Sequence, residues 1–249
     1  MLFSFPSVRD WLSRKIACRT VAFDASSLMA RVSYELRSSL NGIVGYAEFL
    51  ENKTVEPMMN FTAQIIRESG SNLTRACNSY FDLQHVQSGQ ICFSKKRINF
   101  QTLIQSVFDK YQLHALERSI PLRFFCEPEA ESVSVLADEI RLRQVLDALV
   151  FNAIEMAEAW DVIDLHLYWH EDKNVLKLIV QSTQTKLDRK RLSLLEEFWN
   201  TDGYRFHLQE GPGVEMALAK SLIRLARISA KYEVNQDHVG ALELLLPTS

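Results

Sequence analysis

Glycine and proline are scarce, 8 and 6 in 249 residues. That scarcity excludes a disordered chain and an all-β fold built on many tight turns. The four cysteines, Cys18, Cys77, Cys92 and Cys126, lie far apart, with neither a CxxC pair nor metal-ligand spacing. They read as small buried hydrophobes in a reducing compartment, so neither a disulfide framework nor a metal site is expected. A net charge of −3 leaves no basic footprint for nucleic acid or an anionic membrane. No apolar run reaches the roughly 18–20 residues of a membrane span. Residues 1–23 interrupt their apolar part with charges, unlike a signal peptide, and read as a docking or capping segment. A cytoplasmic protein is expected.

What the chain does have is helical periodicity at one end and a mixed grammar at the other. Met29, Val32, Leu36, Leu40, Ile43, Ala47 and Leu50 step by threes and fours, which predicts a helix with one buried stripe. Asn52, Lys53, Thr54 and Pro57 break it. A second stripe follows through Met58, Ile65, Ser69, Leu73, Ala76, Tyr80 and Leu83, and Gly89 ends it. Two long helices joined by a short turn make an antiparallel hairpin. One stripe buries too little alone, so residues 24–90 are expected to pair with a second copy as a four-helix bundle.

After Gln90, helical segments alternate with short β-branched and aromatic runs. VIDLHLYWH and VLKLIVQS, with EDKN between them, carry a hairpin signature. The fold class is α+β: a helical hairpin forming a dimeric four-helix bundle, followed over residues 91–249 by a two-layer α/β sandwich.

SYELRSSLNGIVGYAEFL resembles the H-box of bacterial sensor histidine kinases. LADEIRLRQVLDALVFNAIEMA resembles their N-box helix, GPGVEMALAKSL their second glycine box, and GALELLLP their final strand. The resemblance covers roughly residues 24–247 and implies a dimerisation hairpin followed by a Bergerat-type ATP-binding domain.

Measured against that family, the chemistry is missing. Tyr34 stands where the resemblance places a phosphoacceptor histidine, off the buried stripe of Val32 and Leu36. A phenol, with a pKa near about 10, is almost wholly protonated at neutral pH, whereas an imidazole is nucleophilic there. In the N-box Asn152 matches a Mg²⁺ asparagine, but Ala148 replaces the other, and Glu155 stands where a cation would hold phosphate. Ser182 replaces the adenine-recognising aspartate, and Gln184 and Lys186 replace glycines. Gly211 and Gly213 survive, but Glu215 stands at the third glycine of that box. For Asn152 and Asp138, a structural role and a remnant binding role are both open. Gly211 and Gly213 equally serve a helix packed closely on a sheet. Arg141 and Arg143 read as surface charges.

The pattern implies a degenerate, catalytically inactive histidine-kinase-like regulator of the DivL type, a homodimer that needs no cofactor. It is expected to bind a response-regulator receiver domain or a true histidine kinase through Tyr34, Glu35, Arg37, Ser38 and Asn41. With no sensor segment ahead of residue 24, its signal is expected to arrive through a partner. One alternative is a phosphatase acting on a response regulator, with Glu35 and Ser38 positioning water. Another is an ATP-independent phosphotransfer protein using His85.

Overall fold

The computed structural model describes residues 22–23, 25–52, 56–182, 189–201, 203–204, 212–234 and 240–248. Helices α1 (Ala25–Asn52) and α2 (Glu56–Gln87) form the expected hairpin. Their axes approach closely where side chains are small. A Cβ added at Gly42 would lie 2.6 Å from the Ser69 hydroxyl, and Gly70 faces Ile43. Helix α2 stops where Gly89 takes φ +70 and Gln90 N–H returns to the His85 carbonyl, the left-handed cap that glycine alone adopts without strain.

The remaining elements build the second layer. They are β2 (Lys96–Asn99), α3 (Phe100–Glu117), β3 (Leu122–Cys126), β4 (Ser134–Ala137), α4 (Glu139–Met156), β5 (Ile163–His170) and β6 (Val175–Ser182). Helix α5 (Arg189–Asn200), α6 (Val214–Ala226), β8 (Ser229–Val234) and β9 (Gly240–Pro247) complete it. Strands β1 (Ala22–Phe23) and β7 (Gly203–Tyr204) form a short parallel pair. Helices α3 and α4 start on side-chain caps: Thr102 N–H donates to Asn99 and Arg141 N–H to Asp138. Asp138 also accepts from Ser94 N–H at 2.8 Å, which gives it a structural task.

The main sheet runs β3-β5-β6-β9-β8, with β3 parallel to β5 and the other pairs antiparallel. Period-two alternation sends Leu176, Leu178 and Val180 of β6, and Leu242, Leu244 and Leu246 of β9, into the core. Opposite them lie Ile104 and Val107 of α3, Leu142 and Leu146 of α4, and Ala217 of α6. The sheet is thus covered by helices, as the two-layer reading expected.

Two features differ from the sequence reading. The hairpin does not leave its whole stripe for a second copy, because Leu28, Val32, Leu83 and Val86 belong to the same buried cluster as the sandwich core. Helix α6 is buried along nearly its whole length, held between the sheet side, α4 and α2. Inside it, Lys220 donates to the carbonyls of Phe198 and Thr201 at the end of α5. Among the described residues no helix is long and apolar enough to cross a membrane.

Strand pairing at the end of the sheet leaves no room above Gly240. A Cβ there would clash with the Tyr232 hydroxyl and fall 2.7 Å from its ring. Gly240→Ala should therefore cost about 1–3 kcal/mol of stability by overpacking, read as a lower urea midpoint. The loss should shrink in a Tyr232→Phe background.

Candidate functional site

On α1 the residues Arg31, Glu35, Ser38 and Ser39 share one face by their three- and four-residue spacing. That face turns toward the sandwich. Together with Asn72 and Arg75 of α2, Phe151, Asn152 and Glu155 of α4, and Gly213 and Glu215 at the start of α6, it lines a cleft of about 400 Å³. Four segments distant in sequence meet here, and those on α1, on α4 and at the start of α6 bring residues that the sequence singles out.

Charge organises the cleft. Arg31 pairs with Glu35 at 2.7 Å, one helical turn apart. Arg75 reaches Glu215 at 2.8 Å across the seam between hairpin and sandwich, and its guanidinium lies over the Phe151 ring at 3.5 Å. Glu155 is held by Arg118 at 2.9 Å and contacts His114 at 3.1 Å. Burial raises the Glu215 carboxyl to about 7; Arg75 opposes the rise, and Glu35 and Glu155 add to it by repulsion. The Glu35 carboxylate also sits against Gly213, where a Cβ would lie 2.7 Å from its oxygen. An anion is well placed at the N-terminus of α6, whose first amides have no intrahelical acceptor.

Two further cavities adjoin. One, of about 510 Å³, runs along the same seam past Asn78, Asp82, Lys110, Asp147 and Ala148, and shares Arg75 and Glu215 with the first. The other, of about 70 Å³, lies inside the sandwich between Asn152, Ser182, Leu149, Met156, Trp199, Met216 and Leu242. It is well short of the roughly 300–1,000 Å³ typical of small-molecule pockets. The Ser182 hydroxyl is buried beside it with no hydrogen-bond partner among the described residues.

The sequence-derived candidates separate into groups. Glu35, Ser38, Asn152, Glu155, Gly213 and Glu215 converge on the cleft. Tyr34 is 38% exposed outside it, with the Arg31 guanidinium 6.0 Å from its ring, and Arg37 and Asn41 are exposed on the same helix. Gly211, Gln184, Lys186 and Cys18 lie outside the described residues. Arg141, expected to be a surface charge, instead bonds Asp82 of α2 at 3.2 Å, while Gln144 donates to the same carboxylate at 2.8 Å. Arg143 contacts Ser106 and Glu139 on the sandwich itself. Sequence reasoning missed Arg31, Arg75 and Phe151. The four-residue offset of Arg31 from Glu35 was a readable signal, whereas nothing local marks Arg75.

No protein-family model matches the chain. The autoinducer 2 sensor kinase/phosphatase LuxQ of Vibrio vulnificus is 22% identical over 204 residues, which cover 80% of this chain and 24% of LuxQ. The chain is a homologue of sensor histidine kinases. It thus spans about a quarter of the length of that relative. Among solved structures, the Acinetobacter baumannii histidine kinase AdeS aligns with a TM-score of 0.62 at 15% identity, covering 87% of this chain and 98% of AdeS. Histidine kinase ThkA, solved in complex with response regulator protein TrrA, aligns with a TM-score of 0.61 at 18% identity. That alignment covers 97% of this chain and 64% of ThkA. These likenesses show the same fold as histidine-kinase dimerisation and ATPase-like structures.

Arg75→Ala should lower stability by about 1–3 kcal/mol, because it strips the counter-ion from a buried carboxylate. Glu215 can take up a proton below neutrality, so the loss should be smaller at pH 6 than at pH 8. Urea titrations at the two pH values measure it.

Proposed function

We propose that this chain is a signalling regulator of histidine-kinase type that does not itself transfer phosphate from ATP. The carrying observation is the contrast between the two sides of α1. Tyr34, at the position that the resemblance gives to the acceptor, is exposed, while the cleft beside it is occupied by the chain's own ion pairs. Each cleft arginine already faces a carboxylate of the same chain, so a triphosphate would have to displace Glu35 or Glu215. The small, mostly apolar cavity at Ser182 supports the same reading. The inferred partner is a response-regulator receiver domain or a histidine kinase, docking on the exposed α1 face around Tyr34, Arg37 and Asn41. ThkA, a fold relative, was solved with such a regulator bound. The phosphatase alternative is less well supported, because Glu35 is paired with Arg31 and turned toward Gly213.

We also infer a homodimer through the hairpin. Leu40 and Val44, one turn apart on α1, are 48% and 52% exposed in the single chain, and Phe81 of α2 is exposed as well. Leu40→Asp with Val44→Asp should give a folded monomer, since exposed substitutions change protomer stability by only about 0.5 kcal/mol each. Light scattering that shows the wild type already monomeric at micromolar concentration would overturn the dimer.

Two measurements test the main reading. Calorimetry with ATP and Mg²⁺ should give no dissociation constant tighter than about 10 μM, equivalent to roughly −7 kcal/mol. Tyr34→His should gain no label from ATP but should accept some from a phosphorylated cognate receiver, where positioning supplies most of the catalysis. Self-labelling of the wild type by ATP would sink the proposal.

A further inference from the structure

Away from the seam, three large apolar side chains stand in the open around one end of α3. Leu113 and Leu116, one turn apart, are 65% and 70% exposed, and Trp160 is 74% exposed. Trp160 belongs to the loop between α4 and β5, and its N–H donates to the carbonyl of Ser119, just past α3, at 2.9 Å. Its backbone takes φ +75, a left-handed conformation that glycine or asparagine fills with less strain. Asp161 closes this turn by accepting the Glu158 N–H at 2.8 Å. The turn accounts for the backbone but not for an indole displayed on top of it. Strained residues of this kind cluster at ligand clamps, and tryptophan is among the side chains enriched at binding hot spots.

The charges beside the patch select what can cover it. Residues 113–119 and 155–161 carry four carboxylates, Glu117, Glu155, Glu158 and Asp161, against Arg118 and His114. Arg118 and His114 both contact Glu155, and Asp161 is buried in its own turn. The exposed Glu117 and Glu158 therefore set the sign of the rim. Such a rim repels a nucleic acid or an anionic membrane, and equally a second copy laid patch to patch. The fitting occupant is a cationic segment with large apolar side chains. Residues 1–21 have that composition: Arg9, Arg14, Lys15 and Arg19 against Asp10, with Trp11, Leu12 and Ile16 among them. They join the described structure at Ala22, where β1 pairs with β7. Extended, 21 residues reach at most roughly 70 Å, so length does not keep them from the patch. We propose that residues 1–21 cap the patch, with their apolar side chains on Leu113, Leu116 and Trp160 and their basic ones toward Glu117 and Glu158. That assigns a seat on the sandwich to a segment whose composition already reads as docking.

Photocrosslinking in the full chain tests the cap. With a photoreactive benzophenone side chain in place of Leu116, the cross-linked peptides identified by mass spectrometry should come from residues 1–21. Arg14→Glu with Lys15→Glu, which leaves the patch itself unaltered, should lower that yield about tenfold, and salt at about 1 M should lower it as well. Trp160→Gly should lower the yield too, while keeping or raising the urea midpoint, because glycine takes a left-handed φ without strain. That split separates a docking tryptophan from one that only packs. Cross-links that map elsewhere in the chain, or a yield unchanged by the charge reversal, would overturn the cap. So would a lower urea midpoint in Trp160→Gly, which would make the indole part of the fold.

Discussion

Helix α6 meets side chains on every side, and much of the molecule is arranged to keep it dry. Val214, Ala217, Leu218, Leu222 and Ile223 are all buried, against α4 and the sheet layer on one side and α2 on the other. A helix that is apolar all round is stable only where each face has a partner. The hairpin is that partner for the outer face, so the two layers share one hydrophobic cluster. The two polar residues in the run find bonds without water: Ser221 donates to the Ala217 carbonyl and Lys220 to the end of α5. Because α6 is fixed, its N-terminus is fixed too, and that is where the cleft forms.

The cleft is balanced charge by charge. Glu35 has Arg31, Glu155 has Arg118 and Glu215 has Arg75. Half-buried ions are costly unless paired, and one-to-one pairing is the arrangement that tolerates them. The pairs differ in reach. Arg31 and Glu35 sit on one helix, Arg118 and Glu155 within the sandwich, and only Arg75 with Glu215 crosses the seam. Outside the cleft, Arg141 and Asp82 add a second ion pair across the seam, so the interface is tied at two places.

Local order was legible in the sequence. The spacing of Val32 and Leu36, the stop at Gly89 and the alternation of VLKLIVQS each reflect neighbours within a few residues, and each element is present. The convergence of Glu35 with Asn152, Glu155 and Gly213 was not legible, since no spacing rule links segments more than fifty residues apart. Arg75 escaped notice and Arg141 read as a surface charge, because a single arginine on a helix looks solvated until a second body is placed against it. The same holds for the stripe itself: apolar spacing shows that a face is covered, not what covers it. Here Val32 and Leu83 are covered by the sandwich, while Leu40 is left outside.

The bond from Lys220 to the carbonyls of Phe198 and Thr201 has a mechanical side. Strands are kept in step by their backbone ladder, whereas a helix packed on its neighbours through apolar side chains is placed by ridges fitting into grooves, with no directional bond to set its position along them. A cation anchored on α6 and bonded to the terminal carbonyls of α5 adds a directional bond to that fit. The chain leaving α5 beyond Asn200 consequently starts from a point fixed relative to α6. Helix α5 in turn packs on β8, so the one bonded side chain ties α6 to an edge of the sheet.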